Sequence, residues 1–288
     1  MKKIFALGVI GIITTVIFTS CGDEKSANDS SIKLGCIEHL NLDEDAGNSR
    51  RKEIHEKIEQ LVGYKIPPHE LKFFPNLNSM QMSIESEQID EIGTYQPVAN
   101  YLMAKNPNFE VVAGHTPKEV GDNFCFAFRT EDAELKADTD HVITEMKADG
   151  TLDKLIKTYI TDLKADEEPP TVAFETFRGA ETITVAVTGD LPPFDLVLPS
   201  GKAAGFNTAV LSELGKRLQK NIEVIQVESA ARAATLISKK SDIVFWAIIP
   251  QSDAVLLNII PANVDKPEGV ELSIPYYRSP LVHVGLKK

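Results

Sequence analysis

A two-lobed α/β fold is the reading the amino-acid sequence supports, on three observations. Strand-like runs alternate with single amphipathic helices along most of the chain, the pattern of sheets built from β-α-β crossovers. The alternation breaks once, over residues 164–180, where "KADEEPPTVAFETFRGA" follows neither the helical nor the strand period and carries Pro169, Pro170 and Gly179. Beyond that break the alternation restarts as a fresh lobe would.

Each element follows from local pattern. "IKLGCIEHL" reads as a strand, and the next charged stretch leads into a helix with Ile54, Ile58, Leu61 and Val62 on one face. "ELKFFPNL" gives a strand and a turn, "NSMQMSIESEQIDEIGTYQ" a short helix, a polar turn and a brief strand, and "PVANYLMAKNP" a helix stopped by Asn106-Pro107. "FEVVAG" and "NFCFAFR" are strands, followed by helices around 132–146 and 151–163. After the break come the strand "TITVAVT", the turn-rich loop "GDLPPFDLVLPSG" and the helix "FNTAVLSELGKRLQ", for which Asn207 or Thr208 is the expected cap. The strand "NIEVIQV", the helix "SAARAATLISKK" and the strands "DIVFWAI" and "LVHVGL" complete the series. Parallel sheets of this kind collect ligands at the carboxyl ends of their strands.

Composition narrows the function. The 288 residues are 43% hydrophobic and 25% charged, which is globular rather than disordered. A formal net charge of -12 argues against nucleic acid or an anionic membrane surface as a partner bound through a general field. Lys2-Lys3, the apolar run Ile4 to Phe18 and the small pair Thr19-Ser20 form a signal peptide over 1–20, too short for a membrane span. Cys21, followed by the polar tether 21–31, resembles a bacterial lipobox, which implies cleavage before Cys21 and acylation of its thiol; an ordinary secreted protein cut nearby is the alternative. Cys36 and Cys125 remain, without metal spacing; two separate thiols are the simpler expectation, although the compartment permits a disulfide.

Residues 184–247, running from "VAVTGDLPPFDLVLPSGKAAGFNTAVLSELGKRL" through "SAARAATLISKKSDIVFWAI", resemble the first lobe of type 2 periplasmic (extracellular) solute-binding proteins, and "LSIPYYRSPLVHVGLKK" is similar to their exit to the hinge. The stretch from "FFPNLNSMQ" to "NPNFEVV" resembles the second lobe, and "FCFAFRTEDAEL" with "VITEMKADGTLDKLIKTY" the return to the first lobe and its closing helices. The order is reversed relative to that family, and a circular permutation accounts for it, with residues 164–180 spanning up to about 55 Å if extended. A tandem of two degraded domains is the competing account. The expected organisation is a second-lobe-like domain over 32–124, a hinge return and closing helices over 125–163 packing on the first lobe, a linker over 164–180, and a first-lobe-like domain with a hinge strand over 181–288.

The resemblance implies capture of a small polar ligand between two lobes, delivery to an ABC-type permease, a membrane tie through the lipid alone, a monomer, no cofactor and no catalysis. The residues expected at the ligand are Asp190, Phe194, Trp246 and Ala247 from the later half and Thr94, Tyr95 and Gln96 from the earlier one. Core packing is the alternative for Phe194 and Trp246, helix capping for Thr94 to Gln96. Amino-acid binders of this family clamp a carboxylate with an Arg where this chain has Ile249-Pro250-Gln251-Ser252, and an ammonium with an Asp where it has Tyr95. Arg129, Arg232 and Arg278 are substitute cations and Asp190 and Asp195 substitute acids, so amino-acid specificity does not transfer. The six His (His39, His55, His69, His115, His141 and His283) are scattered, and no metal set is expected. A surface interaction or sensory module is the alternative function, and a dehydratase-like enzyme on the same fold a more distant one.

Overall fold

A computed structural model describes residues 31–116, 120–164, 167–248 and 266–287, with the backbone alone for 246–248. Four strands open the chain: β1 (Ile32–Ile37), β2 (His69–Phe74), β3 (Glu91–Tyr95) and β4 (Phe109–Val111). Helices α1 (Glu44–Val62), α2 (Leu77–Glu85) and α3 (Gln96–Lys105) connect them. β1 lies between β2 and β3 and is parallel to both, as single-helix crossovers require. The Asp43 carboxylate caps α1 by accepting from Ala46 N at 2.8 Å, and Gly63 ends it in the left-handed region at φ 75°.

The second group begins with β5 (Gly121–Arg129), α4 (Ala133–Ala148) and α5 (Thr151–Ile156), the last running into a π-helical turn over Lys157–Thr161. It continues through β6 (Thr182–Val187), the small antiparallel sheet β7 (Asp190–Leu191), β8 (Asp195–Val197) and β9 (Ala203–Ala204), and α6 (Phe206–Leu218). Then come β10 (Asn221–Gln226), α7 (Ala231–Ile237), β11 (Ile243–Ile248), β12 (Val270–Leu272) and β13 (Tyr277–Leu286). β10, β6 and β11 are parallel neighbours, and β11 meets β5 antiparallel, so this sheet is mixed rather than purely parallel.

β13 joins the two lobes. Its start, Tyr277 to Pro280, pairs antiparallel with Phe124 to Gly121 of β5, and its remainder pairs with β3 and β4. A Cβ at Gly121 would lie 2.5 Å from the Ser279 carbonyl oxygen, so the crossing needs glycine there. A second crossover runs beside it: Val112 N donates to His283 O, and Leu281 N to Val120 O. The result is an amino-terminal lobe (β1–β4, α1–α3 and the end of β13) and a carboxy-terminal lobe (β5–β12, α4–α7 and the start of β13), which agrees with the expected fold class of two α/β lobes.

The helices α4 and α5 lie on the carboxy-terminal lobe. Arg217 of α6 donates to Asp149 at 2.7 Å and to Thr151 at 3.0 Å, tying their junction to residues that come later in sequence. The stretch 167–180 follows the surface between lobes: Val172 N donates to Ala203 O, Asn221 binds both Phe177 and Ala180, and Glu168 accepts from Tyr101 and Lys105 of α3.

Two local expectations need correction. The loop "GDLPPFDLVLPSG" forms two strands of a sheet, because Asp190 and Leu191 pair with Leu196 and Asp195. α6 begins at Phe206, two residues before a cap at Asn207 and three before one at Thr208 would allow, and its N-cap is Gly205 at φ 101°. A Cβ on Gly205 would lie 2.6 Å from the Phe194 carbonyl oxygen. Thr208 instead donates back to Ala204 O at 3.0 Å, and Asn207 accepts from the Tyr276 hydroxyl at 2.9 Å.

Candidate functional site: the cavity between the lobes

A cavity of about 300 Å³ lies between the lobes and reaches under α1. The amino-terminal lobe supplies Cys36, Arg51, Ile54, Ile58, Thr94, Tyr95, His115 and His283; the carboxy-terminal lobe supplies Thr188, Asp190, Asp195, Asn207, Arg232 and Phe245. Asp122, at the start of β5 beside the crossing, lies between them.

Three side-chain bonds tie the lobes directly, one of them from the Tyr95 hydroxyl of β3 to Asp122 of β5 at 2.9 Å. The Asp190 carboxylate accepts from Leu77 N at 2.8 Å, placing a negative group at the amino end of α2. Arg232 of α7 donates to Glu38 O at 2.9 Å across the cleft and to Phe245 O and Ser229 O on its own side.

Burial governs the acids. The half-buried Asp122 is pushed above the usual carboxylate range by loss of water, against the Tyr95 hydroxyl that donates to it at 2.9 Å. Asp190 is raised for the same reason, against the bond from Leu77. Burial raises Asp195 to about 6, although Gly189 N donates to it at 2.7 Å. The Cys36 thiol rises to about 11, so it stays protonated and unreactive, and both Cys36 and Cys125 are free thiols. Burial lowers the Arg51 guanidinium. Two polar atoms of the cavity wall, Arg51 Nε and Thr116 Oγ1, have no hydrogen-bond partner among the described residues.

Of the residues expected at the ligand, Asp190, Thr94 and Tyr95 line the cavity, as do the substitutes Asp195 and Arg232. Phe194 does not. It is fully buried, its ring 4.7 Å from Phe124, 5.7 Å from Tyr277 and 5.8 Å from Tyr95, because the turn after β7 folds it into the carboxy-terminal core. Gln96 is also displaced: it opens α3 and donates to Asn100 at 2.8 Å along the helix surface. Arg129 sits at the far end of β5, bonded to Leu236 O, Ser241 O, Asp132 and Asp242, where it anchors the turn before β11. Trp246 and Ala247 pair by their backbones with Cys125 and Phe124 on β11, their side chains outside the described set. Residues 249–252, where the family Arg is absent, lie outside the described residues, as does Cys21.

A group that sequence reading did not anticipate stands at the inner end of the cavity. Three of the six His converge on Glu91: His115 Nδ1 lies 2.6 Å from Oε1, and His283 Nδ1 and His69 Nε2 lie 2.8 and 3.3 Å from Oε2. Burial lowers His69, and lowers His283 to about 4. Burial alone would raise Glu91, but the bonds from His283 and His69 outweigh it and hold the carboxylate well below its usual range. The signal was hidden because these residues are 22, 24 and 192 positions from Glu91, joined only by strand pairing.

Residues 183–253 match the family model described as "Bacterial extracellular solute-binding proteins, family 3". This segment, β6 through β11 and a few residues beyond, is similar to that family. It is 71 of the 288 residues, about a quarter of the chain. No curated protein matches the chain. Among solved structures, the ligand-binding component of an ABC-type import system from Staphylococcus aureus, with zinc bound, is similar at 12% identity and a TM-score of 0.42, over 89% of this chain and 66% of that one. The match thus spans just under two thirds of that chain's length. The alkanesulfonate-binding protein SsuA from Xanthomonas axonopodis pv. citri, bound to MOPS, is similar at 11% and 0.39, over 91% of this chain and 67% of that one. The GluR0 ligand-binding core from Nostoc punctiforme with L-glutamate is similar at 11% and 0.38, over 89% and 85%. At these scores the likenesses carry nothing about the site. Among the described residues no helix is long and apolar enough to cross a membrane.

Proposed function

We propose that this chain is an extracytoplasmic solute-binding protein of the type 2 kind, which captures a small polar ligand between its lobes and hands it to an ABC-type importer. In this reading the signal peptide is removed, Cys21 carries the lipid that tethers the protein to the cell envelope, and the mature protein is a monomer that performs no chemistry on its ligand. The order of the lobes is a circular permutation of the family pattern; packing of α4 and α5 on α6, together with the family match over 183–253, supports it.

The observation that carries the proposal is the composition of the cavity wall. Its volume of about 300 Å³ fits a molecule of amino-acid size. Arg51 Nε–H and the Thr116 hydroxyl are donors without partners among the described residues, and such groups are costly unless something bonds to them. Opposite charge stands nearby in Asp122 and Asp190. A ligand with an acceptor at one end and a cationic or donor group at the other satisfies both sets. Closure by hinge motion follows from a wall shared between lobes joined at β13.

The test is a calorimetric and thermal-shift screen of the purified protein, freed of carried-over ligand, against amino acids, amines, short peptides and organic acids. At least one compound is expected to bind and raise the Tm, and Asp122→Asn to weaken that binding by about tenfold, the loss of one charge-assisted bond. Failure of every compound would remove the capture function.

One observation favours a second reading, a surface interaction or sensory module. The lobes are already tied by Asp190 to Leu77 and Arg232 to Glu38 without a guest. Under that reading no small molecule of the screen binds, and the closed form is the resting one.

A further inference from the structure

We propose that His69, Glu91, His115 and His283 form a zinc(II) site inside the amino-terminal lobe, independent of solute capture. The four side chains offer ligand atoms that all lie within 4.8 Å of one another. They come from β2, β3, the loop after β4, and β13. Three imidazole nitrogens and one carboxylate oxygen are a donor set that suits zinc. Tetrahedral zinc with bonds of about 2.0–2.1 Å separates its ligand atoms by about 3.3 Å. Of the three contacts on Glu91, the one from His69 is at that spacing, at 3.3 Å, and those from His115 and His283 are shorter, at 2.6 and 2.8 Å, so an ion entering the group would spread them by about half an ångström.

The competing account is a buried carboxylate that simply accepts three imidazole N–H bonds. The two accounts differ at His69. Its side chain is fully enclosed, and its Nδ1 has no partner among the described residues. With the proton on Nε2, a bare Nδ1 is buried without a donor. With the proton on Nδ1, that donor is orphaned and the Nε2 lone pair faces the Glu91 oxygen at 3.3 Å, a repulsive arrangement. A cation between Nε2 and the carboxylate turns that repulsion into coordination, with Nδ1–H unpaired among the described residues in either case.

The position also fixes the role. All four ligands belong to one lobe, so binding the ion does not require the cleft to close, and the ion is a resident rather than the transported solute. Coordination of His115 and His283 together would clasp the two crossovers, since Val112 N already donates to His283 O. His115 and His283 line the cavity, which gives the ion a way in.

The experiment strips the protein with a chelator and titrates zinc chloride into it, with cobalt(II) as the spectroscopic probe. Expected are one zinc per chain retained after desalting, intense visible bands of four-coordinate cobalt, and a Tm rise of about 5 °C or more at a hundredfold excess over Kd. His115→Ala alters a ligand on the loop after β4 whose side chain is 20% exposed, so it should fold as the parent does by circular dichroism. It should weaken zinc binding more than tenfold, beyond the lower bound for an outer-sphere partner. His141→Ala, on the exposed face of α4, should bind zinc as the parent does. Absence of retained zinc, cobalt spectra like those of the free aqueous ion, or parent-like binding by His115→Ala would each overturn the assignment. None of these readouts depends on whether the solute screen succeeds.

Discussion

The two lobes share an alternation of strands and helices but spend their side chains differently. In the carboxy-terminal lobe, α6 buries Phe206, Val210, Leu211 and Leu214 against the sheet, and Phe126 stacks on Tyr276 with ring centroids 4.7 Å apart. In the amino-terminal lobe the longer helix α1 buries only Gly47, while Ile54 and Ile58 look onto the cavity and Leu61 is 37% exposed. Arg51 of α1 interacts with Glu91, His69 and His283, polar groups that a dry core would exclude. The amino-terminal lobe packs α2 and α3 as tightly, burying Met80, Ile84, Val98 and Leu102, and departs from that packing only under α1, where its wall can hold polar guests.

The sharpest way to break that contrast is truncation on each side. Phe126 is fully buried, so Phe126→Ala should cost about 3–5 kcal/mol, the range for removing a core aromatic. Ile58 is half-buried over open space, so Ile58→Ala should cost about 1 kcal/mol or less, because little transfer energy is lost and no new void opens. Urea unfolding of both variants measures the difference. Equal costs would mean that Ile58 of α1 is packed as tightly as Phe126 of β5 and that the cavity is not open in solution.

The same contrast explains what the sequence disclosed. Helices and strands of both lobes were legible because their periodicity reflects which face is covered: α1, α3 and α6 lie where the apolar spacing put them. The small sheet of β7 and β8 was not, since strands of two and three residues have no period to read. Nor was the length of β13, because Pro280 within it argues for an interruption, whereas here it falls where the strand passes from one lobe to the other. Asp190, Thr94 and Tyr95 were placed at the cavity from their positions at strand ends. Phe194 and Arg129 were misplaced: residue type told what each side chain can do, but not which side of its strand or turn faced the cleft. The cluster on Glu91 is the extreme case, invisible until four distant segments are paired.

A second test probes the carboxyl buried on the carboxy-terminal side of the cavity. Asp195 is 4% exposed and its pKa is raised from 3.8 to about 6, chiefly by loss of water. Because the folded pKa is the higher one, its contribution to stability is greatest below about pH 4 and is lost as pH rises to about 6. The rise from 3.8 to about 6 corresponds to a loss on the order of 3 kcal/mol. Asp195→Asn keeps an oxygen for Gly189 N and the Thr188 hydroxyl but cannot ionise. Its stability should therefore fall less than the parent's between pH 4 and pH 6, measured by urea unfolding at several pH values. Parallel curves for the two proteins would show that water reaches Asp195.

The smallest expected effect separates a tie within a lobe from one between lobes. Asp43 and Asp190 each accept a backbone N–H at the start of a helix, from Ala46 and Leu77, both at 2.8 Å. Replacing either with Ala should cost about 1 kcal/mol, the usual value for a lost cap. The Asp43 bond closes within the amino-terminal lobe, whereas the Asp190 bond crosses the cleft. Asp190→Ala alone should therefore shift the population toward an open arrangement, read as a larger radius of gyration in small-angle X-ray scattering, while Asp43→Ala scatters as the parent does. The direction follows because a bond that exists only when the lobes meet stabilises only the closed state. Unchanged scattering from Asp190→Ala would leave closure to Arg232, the Tyr95–Asp122 bond and the β13 crossing, and would mean that Asp190 is held in place by the cavity wall rather than holding it.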